Sequence, residues 1–380
     1  MRDQRLDKLA DVLVRYSTRV KKGDLVEIRA DPIAMPLIAA VYEGVVKAGG
    51  NCVFVARSTE LEETLVRHGS PDQLSFVSPL DMHRMQLVDV HFGLWADVNT
   101  KSMSRADPQR LALRGQARKP VMTGYLARAA EGKHRWVGTQ YPTLASAQDA
   151  EMSLPEYEDF VFRACLLHLP DPVAAWTKIY ESQKQVCDWL NTKKEVHFRV
   201  PPHTGPDGHD GTDLRVNVAG SNWINCGGHE NFPDGEVFAG PRGVEGHVNY
   251  TFPGVYQGRE VEGIRLQFKA GRVVDASAKK NESFLLAMLD QDPGARNLGE
   301  IAIGTNYAIR DFSKNTLFDE KIGGTFHAAV GAGYPESGNN NQSGLHWDMV
   351  CELRQGGSIT ADGELFHNHG KFLRAGWPGN

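Results

Sequence analysis

The stretch LVEIRADPIAMPLIAAVYEGVVKAGGNCVFVA, residues 25–56, decides the fold of the first half of this chain of 380 residues. It begins and ends with short apolar runs, at residues 25–30 and 52–56, that are rich in β-branched side chains. Between them, apolar residues recur every three or four positions after Pro36, until a Gly-Gly pair ends the pattern. Two strands joined by a helix over this length form a βαβ unit, so the sequence predicts a parallel sheet.

Flanking segments extend this unit into an α/β domain. Residues 6–14 carry an amphipathic helical pattern, and residues 88–96 and 120–124 are interpreted as two further strands. Helical periodicity returns over residues 155–191, with an interruption at the Pro-Asp-Pro of residues 170–172. No glycine-rich phosphate loop follows the first strand, so this fold class indicates no function by itself.

The pattern changes near Pro201. From there on, short apolar strands alternate with glycine and asparagine turns, which predicts an antiparallel region with one helix at residues 282–289. Asp362-Gly363, between two short strands, predicts a hairpin. The sequence therefore predicts an α/β domain with a parallel sheet over residues 1–200, followed by a β-rich α+β domain over residues 201–380.

Composition and charge exclude several classes of function. Acidic and basic residues are mixed along the chain and the net charge is −5, so no basic block indicates a nucleic-acid partner. No window approaches the ~20 apolar residues that span a bilayer, and the charged N-terminus lacks the apolar segment of a signal peptide. Five scattered cysteines without a CxxC pair argue against a disulfide framework and a thiolate zinc site. We therefore expect a cytoplasmic protein, with no nucleic-acid or membrane partner, that binds a small molecule or another copy of itself.

The segment LHWDMV, residues 345–350, is the most informative about chemistry. On a strand, residues two apart share a face, so His346 and Asp348 point the same way while Trp347 packs on the other side. An imidazole beside a carboxylate suits a borderline cation such as zinc, cobalt or manganese. A buried hydrogen bond between His346 and Asp348 is an equally acceptable interpretation of these residues alone.

Three more residues in apolar surroundings join this pair as candidate ligands. Glu236 in PDGEVF and Glu300 in LGEIAIG sit in runs where an unpaired carboxylate is rarely buried. His327 follows Gly323-Gly324-Thr325, where glycine permits a close approach of the backbone to a ligand. Taken separately, each glutamate fits a solvent-facing edge strand better, and His327 fits a core histidine equally well.

Other polar residues carry less weight. Tyr334 lies in the loop GAGYPESGNNN, where a phenol could serve a site, although packing explains a lone tyrosine better. Ser343 has no acid and base at a spacing typical of a serine hydrolase. His367 and His369 are interpreted as part of a solvated C-terminal tail. A last set of candidates lies in a loop rich in proline and glycine that has no apolar residues around it. These residues are His203, His209 and Asp210.

Together these motifs resemble those of a known family. NFPDGEVFAGP, LGEIAIG, TLFDEKIGGTFHAAVGAGYPESG and LHWDMV occur in the order and with the spacing found in thermophilic aminopeptidases of the aminopeptidase T or aminopeptidase S type. The resemblance implies a metallo-aminopeptidase that removes N-terminal residues from peptides, and a homodimer that encloses the catalytic site of the β-rich domain. It also implies two bound divalent metal ions, Tyr334 at the active site, and a ligand set of Glu236, Glu300, His327, His346 and Asp348.

The sequence departs from the family pattern at three positions. Gly235 stands where most members have the first of two adjacent glutamates, and Ala239 replaces a common threonine. Lys321 follows Asp319-Glu320 where asparagine is frequent. Because the implied ligands are all present, we expect these changes to affect the choice of substrate more than metal binding.

The chemistry expected of such a centre is hydrolysis by an activated water. Two divalent metal ions, zinc, cobalt or manganese, about 3.5–4 Å apart lower the pKa of a shared water towards neutrality and polarise the scissile carbonyl. Holding the ions that close requires a bridging carboxylate, for which Glu300 is our candidate. Glu300 and Glu320 are both candidates for the base that accepts the proton of the water.

A different class of enzyme uses part of the same set. Two histidines and one carboxylate, His327, His346 and Asp348, suit a mononuclear non-haem iron and a ring-cleaving dioxygenase. Glu236 and Glu300 discriminate between the two hypotheses, since a dinuclear site needs them and a mononuclear site does not. Their presence favours the hydrolase. A metal-free binding protein is the weakest interpretation, because every ligand position keeps a residue competent to bind metal.

Overall fold

The computed structural model describes residues 3–203 and 208–379 of the chain. Contacts between residues define two compact units, each made of two segments: Met1–Ala175 with Gly228–Pro233, and Trp176–Gly227 with Asp234–Asn380. The division into domains at residue 200 stays a prediction, because compactness alone does not show which segments fold independently.

A parallel sheet forms the centre of the first unit. Its strands are β1 (Leu25–Ala30), β2 (Asn51–Ala56), β3 (Val90–Trp95), β4 (Arg135–Gln140) and, from the second segment, β8 (Asn231–Phe232). They pair in the order β2-β1-β3-β4-β8, and each of these pairs is parallel. The predicted βαβ unit and the α/β class of this region are therefore confirmed.

Helices precede, connect and follow these strands. They are α1 (Gln4–Asp11), α2 (Met35–Lys47), α3 (Thr59–His68), α4 (Pro71–Ser75), α5 (Pro79–Leu87), α6 (Pro108–Ala130), α7 (Leu144–Asp149) and α8 (Leu154–Ala164). In α2, Leu37, Val41 and Val45 recur every four residues and are completely buried. They form the apolar stripe that the sequence predicts for this helix.

The strand predicted at residues 120–124 is wrong, because these residues lie inside α6. The apolar run there is short, and arginine, lysine, alanine and leucine on both sides are strong helix formers. The helix therefore continues through Pro120 despite the hydrogen bond that proline cannot donate. The fourth strand of the sheet is β4, in which Val137 and Thr139 are completely buried.

Antiparallel sheets make up the second unit. The larger sheet contains β5 (Glu195–Val200), β6 (Thr212–Asn217), β10 (Gly243–Asn249), β13 (Arg265–Lys269), β14 (Arg272–Ser277), β18 (Ser358–Ala361), β19 (Glu364–Asn368) and β20 (Lys371–Phe372). The smaller sheet contains β7 (Ile224–Cys226), β9 (Glu236–Ala239), β15 (Leu298–Gly304), β16 (Thr325–Gly331) and β17 (His346–Glu352). A ribbon pairs β11 (Gly254–Tyr256) with β12 (Arg259–Val261). The helices are α9 (Pro172–Leu190), which begins in the first unit, α10 (Glu282–Leu289) and α11 (Thr316–Asp319).

The core of the second unit lies between its sheets. Ile301, Phe326 and Trp347 of the smaller sheet are buried members of the core. The ring of Phe198, on β5 of the larger sheet, lies 4.6 Å from that of Phe326, measured between centroids. One face of the smaller sheet thus packs against the core, and the opposite face can carry polar groups.

Further predictions for the second unit are confirmed. The strands are antiparallel and the region is β-rich, and α10 occupies residues 282–289. The chain turns at Asp362 and Gly363, whose φ angles of 48° and 82° are those of a two-residue hairpin turn. Within the described ranges, no helix has both the length and the apolar character needed to cross a membrane.

Candidate metal centre

Strand alternation collects the predicted ligands on one face of the smaller sheet. Residues directly opposite each other in antiparallel strands share a face, and residues two apart along a strand do so as well. From Glu300 onward in β15, the register therefore places the even-numbered residues of β9, β15 and β17 on the same side as the odd-numbered residues of β16. This rule brings together Glu236, Glu300, His327, His346 and Asp348.

Small residues leave room between these side chains. Ala329 of β16 lies opposite both Glu300 and Asp348, and Gly331 lies opposite His346. A methyl group or a hydrogen at these positions leaves the space above the sheet to the carboxylates and imidazoles. The sheet therefore offers a polar hollow on one face and an apolar surface on the other.

His327 lies in the middle of the cluster and is completely buried. Its Nε2 lies 3.1 Å from Oε1 of Glu300, 3.4 Å from Oε2 of Glu236 and 3.9 Å from Oδ1 of Asp348. Burial disfavours the charged imidazolium, but the hydrogen bond to Glu300 and the neighbouring carboxylates outweigh it and raise the pKa of His327 to about 10. The surroundings of this imidazole therefore favour positive charge.

Glu300 links two groups of candidate ligand atoms. One oxygen faces His327, and the other, Oε2, lies 3.8 Å from Nε2 of His346. His346 also lies 3.5 Å from Oδ1 of Asp348. Ligand atoms within 4.8 Å of one another form one group of Glu236, Glu320 and His327, and a second group of Glu300, His346 and Asp348.

Backbone carbonyls fix the orientation of both imidazoles. Nδ1 of His327 donates to the carbonyl oxygen of Glu320 at 3.0 Å, and Nδ1 of His346 donates to that of Ala332 at 2.9 Å. With Nδ1 held as a donor, Nε2 is directed at the carboxylates and is the atom that would bind a metal ion after losing its own proton. Both histidines are therefore oriented for metal binding through Nε2.

The carboxylates fit a metal centre because they are buried without enough donors. Glu236 and Glu300 are 6% and 5% exposed. Within the part of the chain that the structure describes, Oε2 of Glu236 and Oδ1 of Asp348 are buried and accept no hydrogen bond. Burial raises the pKa of Glu236 well above its usual value. Unpaired buried acceptors are costly, and a bound divalent cation would offset that cost.

Lys321 is a cation in the centre that the sequence did not predict. It is completely buried, its Nζ contacts Oε1 of Glu320, and it lies 3.7 Å from Oε1 of Glu236. Burial disfavours the ammonium, but the charges of Glu236 and Glu320 raise the pKa of Lys321 well above its usual value. The one signal in the sequence was that lysine replaces the asparagine frequent in the family.

Other residues of the same motifs have structural roles. Gly235 has a φ of 123°, and a Cβ at this position would lie 2.7 Å from the Cβ of Asn306. This backbone conformation therefore excludes the glutamate that most members carry here. The carboxylate of Asp319 is buried and accepts from the backbone N–H and the hydroxyl of Ser313 at 2.7 and 2.9 Å. It stabilises the turn that carries Glu320.

Tyr334 lies beside the ligand-bearing face. Its ring packs edge-on to His346 and to Phe238, with centroid distances of 5.2 and 5.6 Å. Partial burial and the charges of Glu300 and Asp348 raise the pKa of the phenol, so the hydroxyl remains a donor. The position suits the predicted active-site role, which stays a prediction.

The weaker candidates take no part in this cluster. Ser343 donates its hydroxyl hydrogen to Asp292 at 2.8 Å. Within the described residues, it has no histidine partner. Asp210 forms an ion pair with Arg265 at 2.9 Å. The two loop histidines, His203 and His209, have ring centroids 6.0 Å apart and ring planes tilted by 35°.

The interpretation of His367 as solvated is wrong. This residue lies in β19, is completely buried, and packs edge-on to Phe372 at 4.9 Å. Burial lowers its pKa to about 3. The pairing of β19 with β18 and β20 covers the imidazole, although the neighbouring sequence is polar.

The family comparison spans nearly the whole chain. The matching family model, described as thermophilic metalloprotease (M29), covers residues 2–376. The chain belongs to this family. Membership makes it a metal-dependent peptidase and confirms the resemblance seen in the motifs. The ring-cleaving dioxygenase hypothesis gains no support from the comparisons.

Curated relatives of this M29 member carry aminopeptidase names. Aminopeptidase 2 of Geobacillus stearothermophilus is 27% identical over 366 residues, which cover 90% of this chain and 86% of the relative. Aminopeptidase T of Thermus aquaticus is 26% identical over 370 residues, which cover 90% and 88%. The structure of wild-type AmpT from Thermus thermophilus matches with a TM-score of 0.83 and 23% identity, over 98% of this chain and 99% of that one. This last likeness shows the fold.

Proposed function

We propose that this chain is an aminopeptidase that hydrolyses the first peptide bond of its substrates with two divalent metal ions. The observation that carries the proposal is the position of Glu300, whose oxygens face His327 and His346 in two adjoining groups of ligand atoms. Each group offers a histidine and carboxylates, a set that suits zinc, cobalt or manganese. The family and the names of the relatives support the same function.

The proposed ligands divide between the two ions. Glu236 and His327 would hold one ion, His346 and Asp348 would hold the other, and Glu300 would contribute an oxygen to each. The bound ions would supply a water of lowered pKa and polarise the scissile carbonyl. A mononuclear iron centre would need no ligand from Glu236. This carboxylate is nevertheless buried among the other candidate ligands, which favours the dinuclear site.

A carboxylate must accept the proton of the attacking water. Glu300 contacts a histidine in each of the two ligand groups, so we assign the role of proton acceptor to Glu320. Lys321 contacts Oε1 of Glu320 and leaves Oε2 to take the proton. The hydroxyl of Tyr334, beside His346, donates to the oxyanion that forms when the carbonyl is attacked.

Metal removal tests the proposed function. We expect a chelator to abolish the release of N-terminal residues from short peptides, and zinc, cobalt or manganese to restore it. Anomalous scattering should count two ions per chain in the active protein. A single iron ion per chain would favour the dioxygenase, and peptidase activity that resists the chelator would contradict the metal mechanism.

We also propose that the protein acts in the cytoplasm as a homodimer. Within the described residues its five cysteines form no disulfide, which suits a reducing compartment. The dimer is implied by the family resemblance, in which two copies enclose the site. Light scattering of the purified protein should give twice the chain mass of 42.0 kDa, and a monomer at micromolar concentration would contradict the dimer.

Replacing Tyr334 with phenylalanine is expected to lower kcat by about 10²–10³-fold while both metal ions stay bound. The variant keeps the ring that packs on His346 and Phe238 but loses the hydroxyl donor. KM should change little, because the hydrogen bond to the oxyanion forms mainly in the transition state. Steady-state kinetics and the metal content of the purified variant measure this effect.

Tyr256→Phe is the matched control for this variant. Tyr256 packs against Trp347, whose side chain lies on the core side of the sheet, so its loss of a hydroxyl should leave turnover near normal. If Tyr334→Phe also kept near-normal turnover, Tyr334 would be a packing residue, and the metal ions alone would stabilise the oxyanion.

A further inference from the structure

A cavity in the first unit has no part in the proposed peptidase mechanism. Its volume is about 620 Å³, and it lies at the carboxyl ends of β1 and β2, with walls from α3, α5 and α6. Open α/β sheets commonly bind ligands in the crevice beyond the carboxyl ends of their strands. The position of the cavity does not indicate which kind of ligand binds there, but the charges of the lining residues indicate an anion.

The lining carries an excess of positive charge. Among the described residues, two carboxylates line the cavity, those of Glu62 and Asp81. Against them stand four guanidinium groups, from Arg29, Arg57, Arg114 and Arg118. Like charges that converge on one space repel each other, so this lining favours an anion between them.

The arginines differ in how they are paired. Arg114 binds Glu62 at 2.8 Å, and Arg29 binds Glu27 at 2.9 Å. Within the described ranges, Arg57 and Arg118 form no ion pair. Partial desolvation and the like charge of Arg57 lower the pKa of the Arg118 guanidinium. These two arginines are therefore free to bind an anionic ligand.

Two residues of the cavity lining hold buried donor atoms without acceptors. Nε of Arg29 and the hydroxyl of Tyr125 are buried and, among the described residues, have no hydrogen-bond partner. Both residues line the cavity. Buried polar groups in proteins are rarely unpaired, so these two donors are available to an acceptor atom of a ligand that reaches them.

Apolar side chains make up much of the remaining lining, and hydrogen bonds join two of the helices that form the walls. Arg110 of α6 donates to the carbonyl oxygen of Val66 at 2.5 Å and also binds that of Gly69, which ties α6 to the end of α3. Leu61, Phe76 and Met122 line the cavity and are 70%, 61% and 57% exposed. Such exposed apolar side chains suit an apolar part of a ligand.

We propose that this cavity binds a small molecule in which a phosphate or carboxylate group is attached to an apolar body. Arg57 and Arg118 pair with the anionic group, because the planar guanidinium matches the oxygens of both groups. Phe76 and Met122 contact the apolar body. The site requires no metal ion and is independent of the proposed peptidase function.

Isothermal titration calorimetry with phenyl phosphate and with phenylacetate tests this proposal on the full chain. Saturable binding of either compound supports it. Tighter binding of phenyl phosphate identifies a phosphorylated ligand, and tighter binding of phenylacetate identifies a carboxylate. Benzyl alcohol, which has the apolar body without the charge, should show no saturable binding.

Variants locate the binding in the cavity. The double change Arg57→Gln and Arg118→Gln should weaken binding by about 10- to 100-fold, because charge-assisted hydrogen bonds are lost. Glu62→Gln should tighten binding, because it frees Arg114 for the ligand. Arg15→Gln is the control, since Arg15 is exposed and paired with Asp11 outside the cavity.

Two results would overturn the proposal. One is the absence of saturable binding of both anions to the unaltered protein. The other is equal affinity in the double variant and in Arg15→Gln, which would show that the anion binds at other basic side chains.

Discussion

Replacing Glu300 with glutamine is expected to abolish peptide hydrolysis and to lower metal affinity by more than about 10²-fold. This loss exceeds the one typical of a residue that only hydrogen-bonds to a metal ligand. The carboxylate faces His327 at 3.1 Å with one oxygen and His346 at 3.8 Å with the other. An amide has one oxygen and no negative charge, so glutamine cannot bridge both groups. Metal analysis after dialysis and kinetic assays measure the two effects.

Two further variants sharpen this test. Glu320→Gln should keep the metal ions and lose turnover, because Glu320 is assigned to accept the proton. Glu245→Gln is the matched control, since Glu245 is exposed on β10 of the other sheet and should leave both properties unchanged. Full metal occupancy and normal turnover in Glu300→Gln would contradict the bridging role.

Replacing Lys321 with methionine is expected to tighten metal binding by Glu236 and His327, beside Glu320, by about 10²-fold or more. The buried ammonium already offsets these carboxylates and lies 3.7 Å from Glu236. Unit charges about 4 Å apart interact by roughly 4 kcal/mol at an effective dielectric constant of 20, and about 1.4 kcal/mol is a tenfold change in affinity. In the unaltered protein, the group of Glu300, His346 and Asp348 should therefore fill first.

The same variant should be less stable without metal. Removing the ammonium leaves buried carboxylates without their cation, a loss of about 3–5 kcal/mol. Calorimetric metal titration and denaturant unfolding of the metal-free protein measure these opposite effects. Lys280→Met is the control, because Lys280 is exposed and paired with Glu262. Weaker metal binding in Lys321→Met would contradict the idea that the ammonium competes with the metal ion for the carboxylates. It would show instead that Lys321 positions these carboxylates.

The candidate ligands stand out in the sequence because each is a polar side chain inside an apolar run. Strand periodicity alone put His346 and Asp348 on one face, as the structure shows. The interpretation of the glutamates as solvent-facing residues on edge strands is wrong. Glu236 lies on β9, between β15 and β7, and Glu300 lies on β15, between β16 and β9. Local sequence does not reveal which strands are neighbours.

The incorrect predictions have a common cause. Residues 120–124 have a short apolar pattern typical of a strand, but the helical residues on both sides extend α6 through them. His367 is surrounded by polar residues in the sequence, but its neighbours in space are the strands on either side of β19. In both cases residues outside the short segment decided its structure: flanking helix formers for residues 120–124, and neighbouring strands for His367.

By itself, the sequence determined the βαβ unit, the antiparallel character of the second half, and the residue types that can bind metal. Each of these follows from periodicity or chemistry within a short segment. The tertiary structure alone decided that β9, β15, β16 and β17 adjoin in one register, and that Lys321 reaches their carboxylates. Register and strand order depend on pairing between segments far apart in the chain, and a shift of one residue would turn the ligands to the opposite face.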